Sequence, residues 1–160
     1  MSPAQITLQR IHGTPYLDLP EGFSPVTLAQ SLAAFHLATL ISGKCLCHID
    51  NQPRNVIVAK DQVYLIDFSD SLVDFPERDI THLLLFWAAD LPQDKFKSLS
   101  ARFIEEYSQL VPLSPRLWQK YLEQSIGIFD SRRKLFNKSG KNPPEIQTAN
   151  RNRLAALLNN

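Results

Sequence analysis

Glycine is scarce in this 160-residue chain, where Gly13, Gly22, Gly43, Gly127 and Gly140 stand far apart. That scatter leaves no glycine-rich loop of the kind whose backbone amides wrap a phosphate. Cysteine is scarcer still. Cys45 and Cys47 are too few for a disulfide framework, and with His48 beside them they lack the remaining ligands of a closed zinc site, so they read as buried thiols in a reducing compartment. No apolar run is long enough to cross a bilayer, and Met1 to Arg10 has no basic segment followed by an apolar stretch. The chain is therefore expected to be cytoplasmic. It shows no internal repeat and no low-complexity segment.

What is present suits a globular domain, since 44% of the residues are hydrophobic and 21% charged. The formal net charge of +1 hides an asymmetry: residues 1–112 hold 8 Lys/Arg and 13 Asp/Glu, and residues 113–160 hold 9 and 3. An acidic part with Asp and Asn in register suits a divalent cation. The basic tail either faces an anionic substrate or partner or is a solvated helix face, the commoner case. Arg132, Arg133, Lys134, Lys138, Lys141, Arg151 and Arg153 offer charge without a reading motif or aromatic platform, so nucleic acid is not an expected partner.

The pattern predicts a mainly α fold with a small β-hairpin. Ile6 to Arg10 and Pro15 to Leu19 read as two short strands around His12-Gly13, followed by the loop Pro20-Glu21-Gly22. Ser24-Pro25 caps a helix in which Leu28, Leu32, Phe35, Leu40 and Ile41 recur at helical spacing until Gly43 stops it. After an irregular stretch from Lys44 to Asn55, the runs 56–59 and 63–66 flank the polar loop Lys60-Asp61-Gln62 and predict a hairpin. Pro76-Glu77 opens a buried helix carrying Ile80, Leu83, Leu84 and Trp87. Further helical stripes follow, one with Phe103 and Tyr107, another from Ser114-Pro115 with Tyr121 and Phe129, and a short last helix comes after the loop 139–144.

The chemistry concentrates in His48-Ile49-Asp50-Asn51-Gln52-Pro53-Arg54-Asn55 and Ile66-Asp67-Phe68-Ser69-Asp70. A hairpin turning at Asp61 places residue 56 opposite 66 and Asn55 opposite Asp67, about 5 Å apart at Cα. An amide oxygen and a carboxylate are hard ligands suited to Mg²⁺, which takes few protein groups and fills its octahedron with water and phosphate oxygens. Asp50, in the same loop, then lies beside the metal as a base for an incoming hydroxyl. Quieter readings stand beside these: a buried, hydrogen-bonded histidine for His48, a helix N-terminal carboxylate for Asp79, turn-forming side chains for Asp50 and Asn55.

These segments resemble the catalytic loop and metal-binding motif of the protein-kinase-like superfamily, H-x-D-x-x-x-x-N followed by a strand pair and D-F-G. More closely, Leu32-Ala33-Ala34-Phe35-His36, Ile66-Asp67-Phe68-Ser69-Asp70-Ser71 and Asp79-Ile80-Thr81-His82-Leu83-Leu84 resemble the aminoglycoside phosphotransferase and choline kinase branch. The resemblance implies a kinase-like large lobe in which Asp50 is the catalytic base and Asn55 and Asp67 hold Mg²⁺ or Mn²⁺. It further implies that His48 braces the Asp-Phe backbone and that Asp79 anchors the catalytic loop through its amides. Asn51, Gln52 and Asp70 are the expected substrate contacts, and ATP is the expected co-substrate. Ser69, where protein kinases have glycine, points away from protein substrates.

The resemblance covers about residues 14–136, and some twenty residues precede the first helix, too few for a five-stranded small lobe with its lysine and glutamate. Residues 1–23 are accordingly expected to be a hinge and last small-lobe strand, and residues 24–160 the large lobe, with a basic helical tail from about 113. Two functions follow. One is an ATP-dependent phosphotransferase lobe acting on a hydroxyl of a small molecule or saccharide, its small lobe either a polypeptide supplied in trans or missing from this reading frame. The other is a non-catalytic, pseudokinase-like interaction module.

Overall fold

The computed structural model describes residues 11–19, 22–60, 62–136, 138 and 140–158. Five helices carry most of the chain: α1 (Pro25–Ala38), α2 (Pro76–Asp90), α3 (Gln93–Leu110), α4 (Pro115–Leu135) and α5 (Pro144–Ala156). Five short strands complete it: β1 (Thr14–Pro15), β2 (Cys45–Cys47), β3 (Val56–Ala59), β4 (Gln62–Leu65) and β5 (Leu72–Asp74). The fold is mainly α with a small β part. The strand expected over Ile6 to Arg10 and the loop at residues 20 and 21 lie outside the described residues.

Helix starts follow their capping chemistry. The Ser24 hydroxyl accepts from the Thr27 amide at 3.2 Å and the Ser114 hydroxyl from the Leu117 amide at 3.4 Å, each with proline in the first turn. The end of α1 differs from the sequence reading. The helix stops at Ala38, short of Gly43, because Thr39 turns away and its hydroxyl takes the Leu46 amide at 2.9 Å. Leu40 and Ile41, read as helical core, are exposed, and Ile41 bridges Lys44 across a tight turn at Ser42 and Gly43, both at positive φ.

Two antiparallel sheets frame the site, β1-β3-β4 and β2-β5. The second was not legible in the sequence, which left residues 44–55 irregular. It matters because β2 runs directly into His48 and β5 is entered from residues 67–71, so the pairing of Cys47 with Leu72 holds these two connections together.

Helix α2 is the central beam. Ile80, Leu83, Leu84, Leu85, Trp87 and Ala88 are all fully buried, against Leu28 and Leu32 of α1, Phe103 and Tyr107 of α3 and Trp118 of α4. Buried polar tips find partners, as the Trp87 indole N–H donates to the Tyr16 hydroxyl at 2.6 Å. No helix among the described residues is long and apolar enough to cross a membrane.

Candidate active site

Asp79 sits in the first turn of α2 and is fully buried. Its Oδ2 accepts from the His48 amide at 2.9 Å and from His36 Nε2 at 3.0 Å. Its Oδ1 accepts from the Ile49 amide at 2.8 Å and from Asn51 Nδ2 at 2.9 Å. Burial pushes this carboxyl up, but the hydrogen bond and charge of His36 and the two loop amides outweigh it and hold Asp79 below the ordinary carboxylate range. A carboxylate can only accept, so His36 Nε2–H donates to it while Nδ1 shares a hydrogen bond with the Tyr107 hydroxyl. Side chains from α1, α2 and α3 thus converge under one loop.

The clamp explains a strained backbone. Ile49 has φ 66°, a left-handed value that a β-branched residue adopts only when its surroundings impose it. With the amides on both sides of Cα His48 tied to one buried carboxylate, the chain is forced to turn there. Asp50 is thereby presented on the other side of the loop.

Asp50 is half-buried and receives two side-chain donors. Gln52 Nε2 lies 2.9 Å from each carboxylate oxygen, and Asn55 Nδ2 lies 2.9 Å from Oδ2 and 2.8 Å from the Asp50 carbonyl oxygen. The 3-10 turn Pro53–Asn55 makes this return contact. Asn55 is buried, and its Oδ1 accepts no hydrogen bond from any described residue. Asn51 lies on the Asp79 side instead, with its Oδ1 facing His82 Nδ1 at 3.2 Å, so it belongs to the loop's foundation.

The hairpin register is one residue away from the sequence expectation. Val56 pairs with Leu65 and Ala59 with Gln62, which the sequence had placed in the loop, and the Ile66 amide donates to the Asn55 carbonyl at 3.0 Å. Asn55 therefore stands across from Ile66 and not from Asp67. The chain then leaves the extended conformation, Asp67 having φ 63°, and this re-aims its side chain from the alternation of the strand. Asp67 is exposed and accepts from the Ser69 hydroxyl at 2.8 Å.

His48 holds this exit: Nε2 donates to the Ile66 carbonyl at 2.8 Å and the ring meets Phe68 edge-on at 4.7 Å. The structure thus joins His48, Asp50, Asn51, Gln52, Asn55 and Asp79 in one hydrogen-bonded unit, with Asp67 adjacent through the backbone but bonded to neither Asp50 nor Asn55.

Four participants were not legible in the sequence. His36 and Tyr107 enter through Asp79, His82 through Asn51, and Arg132 of α4 places Nη2 2.8 Å from Asp70 and Nη1 3.9 Å from Asp50. Arg132 belongs to the basic tail, for which the sequence allows either a solvated face or one turned to an anionic substrate or partner. It reaches back across the chain to the loop while staying partly exposed.

The histidine nearest the thiols in space is not their neighbour in sequence. His36, not His48, shares their neighbourhood, the three ligand atoms lying within 4.8 Å of one another, but both His36 nitrogens are already bonded. The Cys45 side-chain contact and burial push the Cys47 thiol up.

The loop, the hairpin and Asp79 lie in one stretch of the chain, and sequence comparison selects the same stretch. The family model described as the phosphotransferase enzyme family matches residues 5–121. No curated protein matches the sequence. Because that match spans the loop, the hairpin, Asp79 and the helices that carry them, the chain belongs to the phosphotransferase enzyme family.

Proposed function

We propose that this chain is the catalytic large lobe of an ATP-dependent phosphotransferase whose acceptor is a hydroxyl of a small molecule or saccharide. The observation that carries the reading is Asp50 on a loop pinned at two successive amides by a buried carboxylate, with Asn55 returning onto it. Phosphoryl transfer depends on positioning and on neutralising charge, and a loop fixed this firmly supplies the positioning.

Asp50 is the base. The acceptor hydroxyl takes the place of Gln52 on one carboxylate oxygen, its proton passes to Asp50, and its oxygen bonds to the γ-phosphorus of ATP as the bond from that phosphorus to the ADP oxygen breaks. Asn55 and Asp67 fit a divalent ion by chemistry: an amide oxygen free of protein hydrogen bonds and a largely solvent-facing carboxylate are both hard donors. Mg²⁺ or Mn²⁺ held there neutralises charge on the transferred phosphate. His48 and Asp79 hold the backbone on which these groups ride, and Gln52 and Asp70 face the acceptor.

The described residues from Thr14 onward form this lobe, since β1 pairs with β3 and Tyr16 lies in its core, and a small lobe supplied in trans or elsewhere completes it. An apolar hollow between α1 and β4, lined by Leu28, Leu32, Phe35, Leu65 and the half-exposed Phe68, supports a docking face for it.

The test is ATP consumption by the purified chain alone and by the chain fused at its amino end to the small lobe of another family member. Little turnover alone, and turnover in the fusion that falls by about 10²–10⁴ in Asp50→Asn, is expected. Robust turnover by the chain alone that disappears in Asp50→Asn would overturn the two-part arrangement. A fusion that binds nucleotide yet is indifferent to Asp50→Asn would favour the interaction-module reading.

A further inference from the structure

Beside Asp50 opens a cavity of about 470 Å³ whose walls come from the loop, α2 and the carboxyl end of α4. Its charge is the informative feature. Arg54, Arg132, Arg133 and Lys138 line it against Asp50 and Asp70 alone. Arg133 is engaged by Asp90 at 3.5 Å and lies over the Phe129 ring at 4.6 Å. Among the described residues, Arg54 and Lys138 have no carboxylate partner. The Arg132 guanidinium stands between Asp70 and Asp50, with one nitrogen on each side.

The floor is apolar. Phe86 and Phe129 meet edge-to-face at 5.0 Å, and Leu135 and Phe136 of the same wall are largely exposed. Phe129 is buried beneath Arg133, so Phe86 and Phe136 are the rings that can meet the C–H surface of a sugar, and a guanidinium suits a phosphate or carboxylate bidentately. A cationic acceptor would meet like charge here, a cost that specific sites use to reject partners.

We propose that the acceptor of this site is an anionic saccharide, a sugar phosphate or sugar acid, whose anion exchanges for Asp70 on Arg132 and lies against Lys138. This deepens the phosphotransferase reading and rests on it. Geometry links the two: an anion on Arg132 Nη2 leaves the rest of the sugar within reach of Asp50, the neighbour of Nη1, so that a hydroxyl on the same molecule meets the base.

Isothermal titration at low ionic strength, where exposed charges are least screened, tests this without requiring turnover. The probes are glucose 6-phosphate, glucuronate, glucose, kanamycin and inorganic phosphate. Saturable binding is expected for glucose 6-phosphate or glucuronate, weaker for glucose, kanamycin and phosphate. It should fall roughly tenfold or more in Arg132→Gln, the loss expected for a charge-assisted pair, and less in Lys138→Gln. Arg116→Gln, at the far end of α4, is the control and leaves it unchanged. Both tested arginines are solvent-facing enough for the variants to fold, which thermal melts verify.

No saturable binding of either anionic sugar at millimolar concentration, tighter binding of glucose or kanamycin, equal binding of inorganic phosphate, or indifference to Arg132→Gln would each overturn the proposal. The two readings fail separately. Transfer to kanamycin by the small-lobe fusion would sink the anionic acceptor and keep the phosphotransferase. Arg132-dependent sugar binding beside a fusion indifferent to Asp50→Asn would do the reverse.

Discussion

Asp79→Ala removes the acceptor of four hydrogen bonds, from His36, His48, Ile49 and Asn51. The His48 side is fully buried, so its amide and the His36 imidazole lose a partner that water cannot replace, at about 1–3 kcal/mol for each orphaned group. Asn51 keeps its bond to the Asp79 carbonyl, and Ile49 is only half-buried, so these two lose less. The total is roughly 3–5 kcal/mol, the range for breaking a buried ion pair, against a whole-domain stability of about 5–15 kcal/mol.

Urea melts followed by tryptophan fluorescence measure it, since Trp87 and Trp118 are both core. Asp79→Asn, which keeps an acceptor but loses the charge, should fall between Ala and wild type. The pH dependence carries a sign. The folded Asp79 titrates below its unfolded value of about 4, so its stabilisation is complete above that pH and is lost as pH falls through the folded pKa. Asp79→Asn should flatten this acid limb. A midpoint of Asp79→Ala indistinguishable from wild type with unchanged slope would refute the clamp.

Two further outcomes follow from burial. Leu84→Ala, at a fully buried position of α2, should cost roughly 2–5 kcal/mol in the same melts, and an unchanged midpoint would place α2 on the surface. Glu77 has its carboxyl raised by burial despite accepting the Ser114 amide at 2.7 Å, so its contribution is full below the unfolded pKa and declines as pH rises through the folded one. Glu77→Gln should remove that decline while keeping the acceptor, and a decline that persists in the variant would assign it elsewhere.

How far the sequence reaches depends on sequence distance. The helix starts at Ser24-Pro25 and Ser114-Pro115 and the buried stripe of α2 are local patterns, and each is where the spacing predicts it. Asp50 and Asn55 are five apart, and the loop that joins their side chains is local too.

Register and long-range polar contacts are not local. The hairpin was offset by one residue because Gln62 looks like a turn residue yet pairs with Ala59, and the positive φ of Lys60 that tightens the turn has no marker such as glycine. The β2-β5 pair rests on three residues each, too short to stand out as strands. Arg132 lies 62 residues beyond Asp70, and an arginine on a charged helix end looks like any solvated arginine until the fold brings the loop beside it.

The most direct measurement is Mn²⁺ binding, read by water-proton relaxation enhancement in wild type, Asn55→Ala and Asp67→Ala, with Asp50→Asn as a neighbour that is not a ligand. One weak site is expected in wild type, lost in both ligand variants and retained in Asp50→Asn, and tightened by added ATP because phosphate oxygens complete the shell. Equal enhancement in wild type and Asp67→Ala would contradict this, leaving the proposed ion without its ligands.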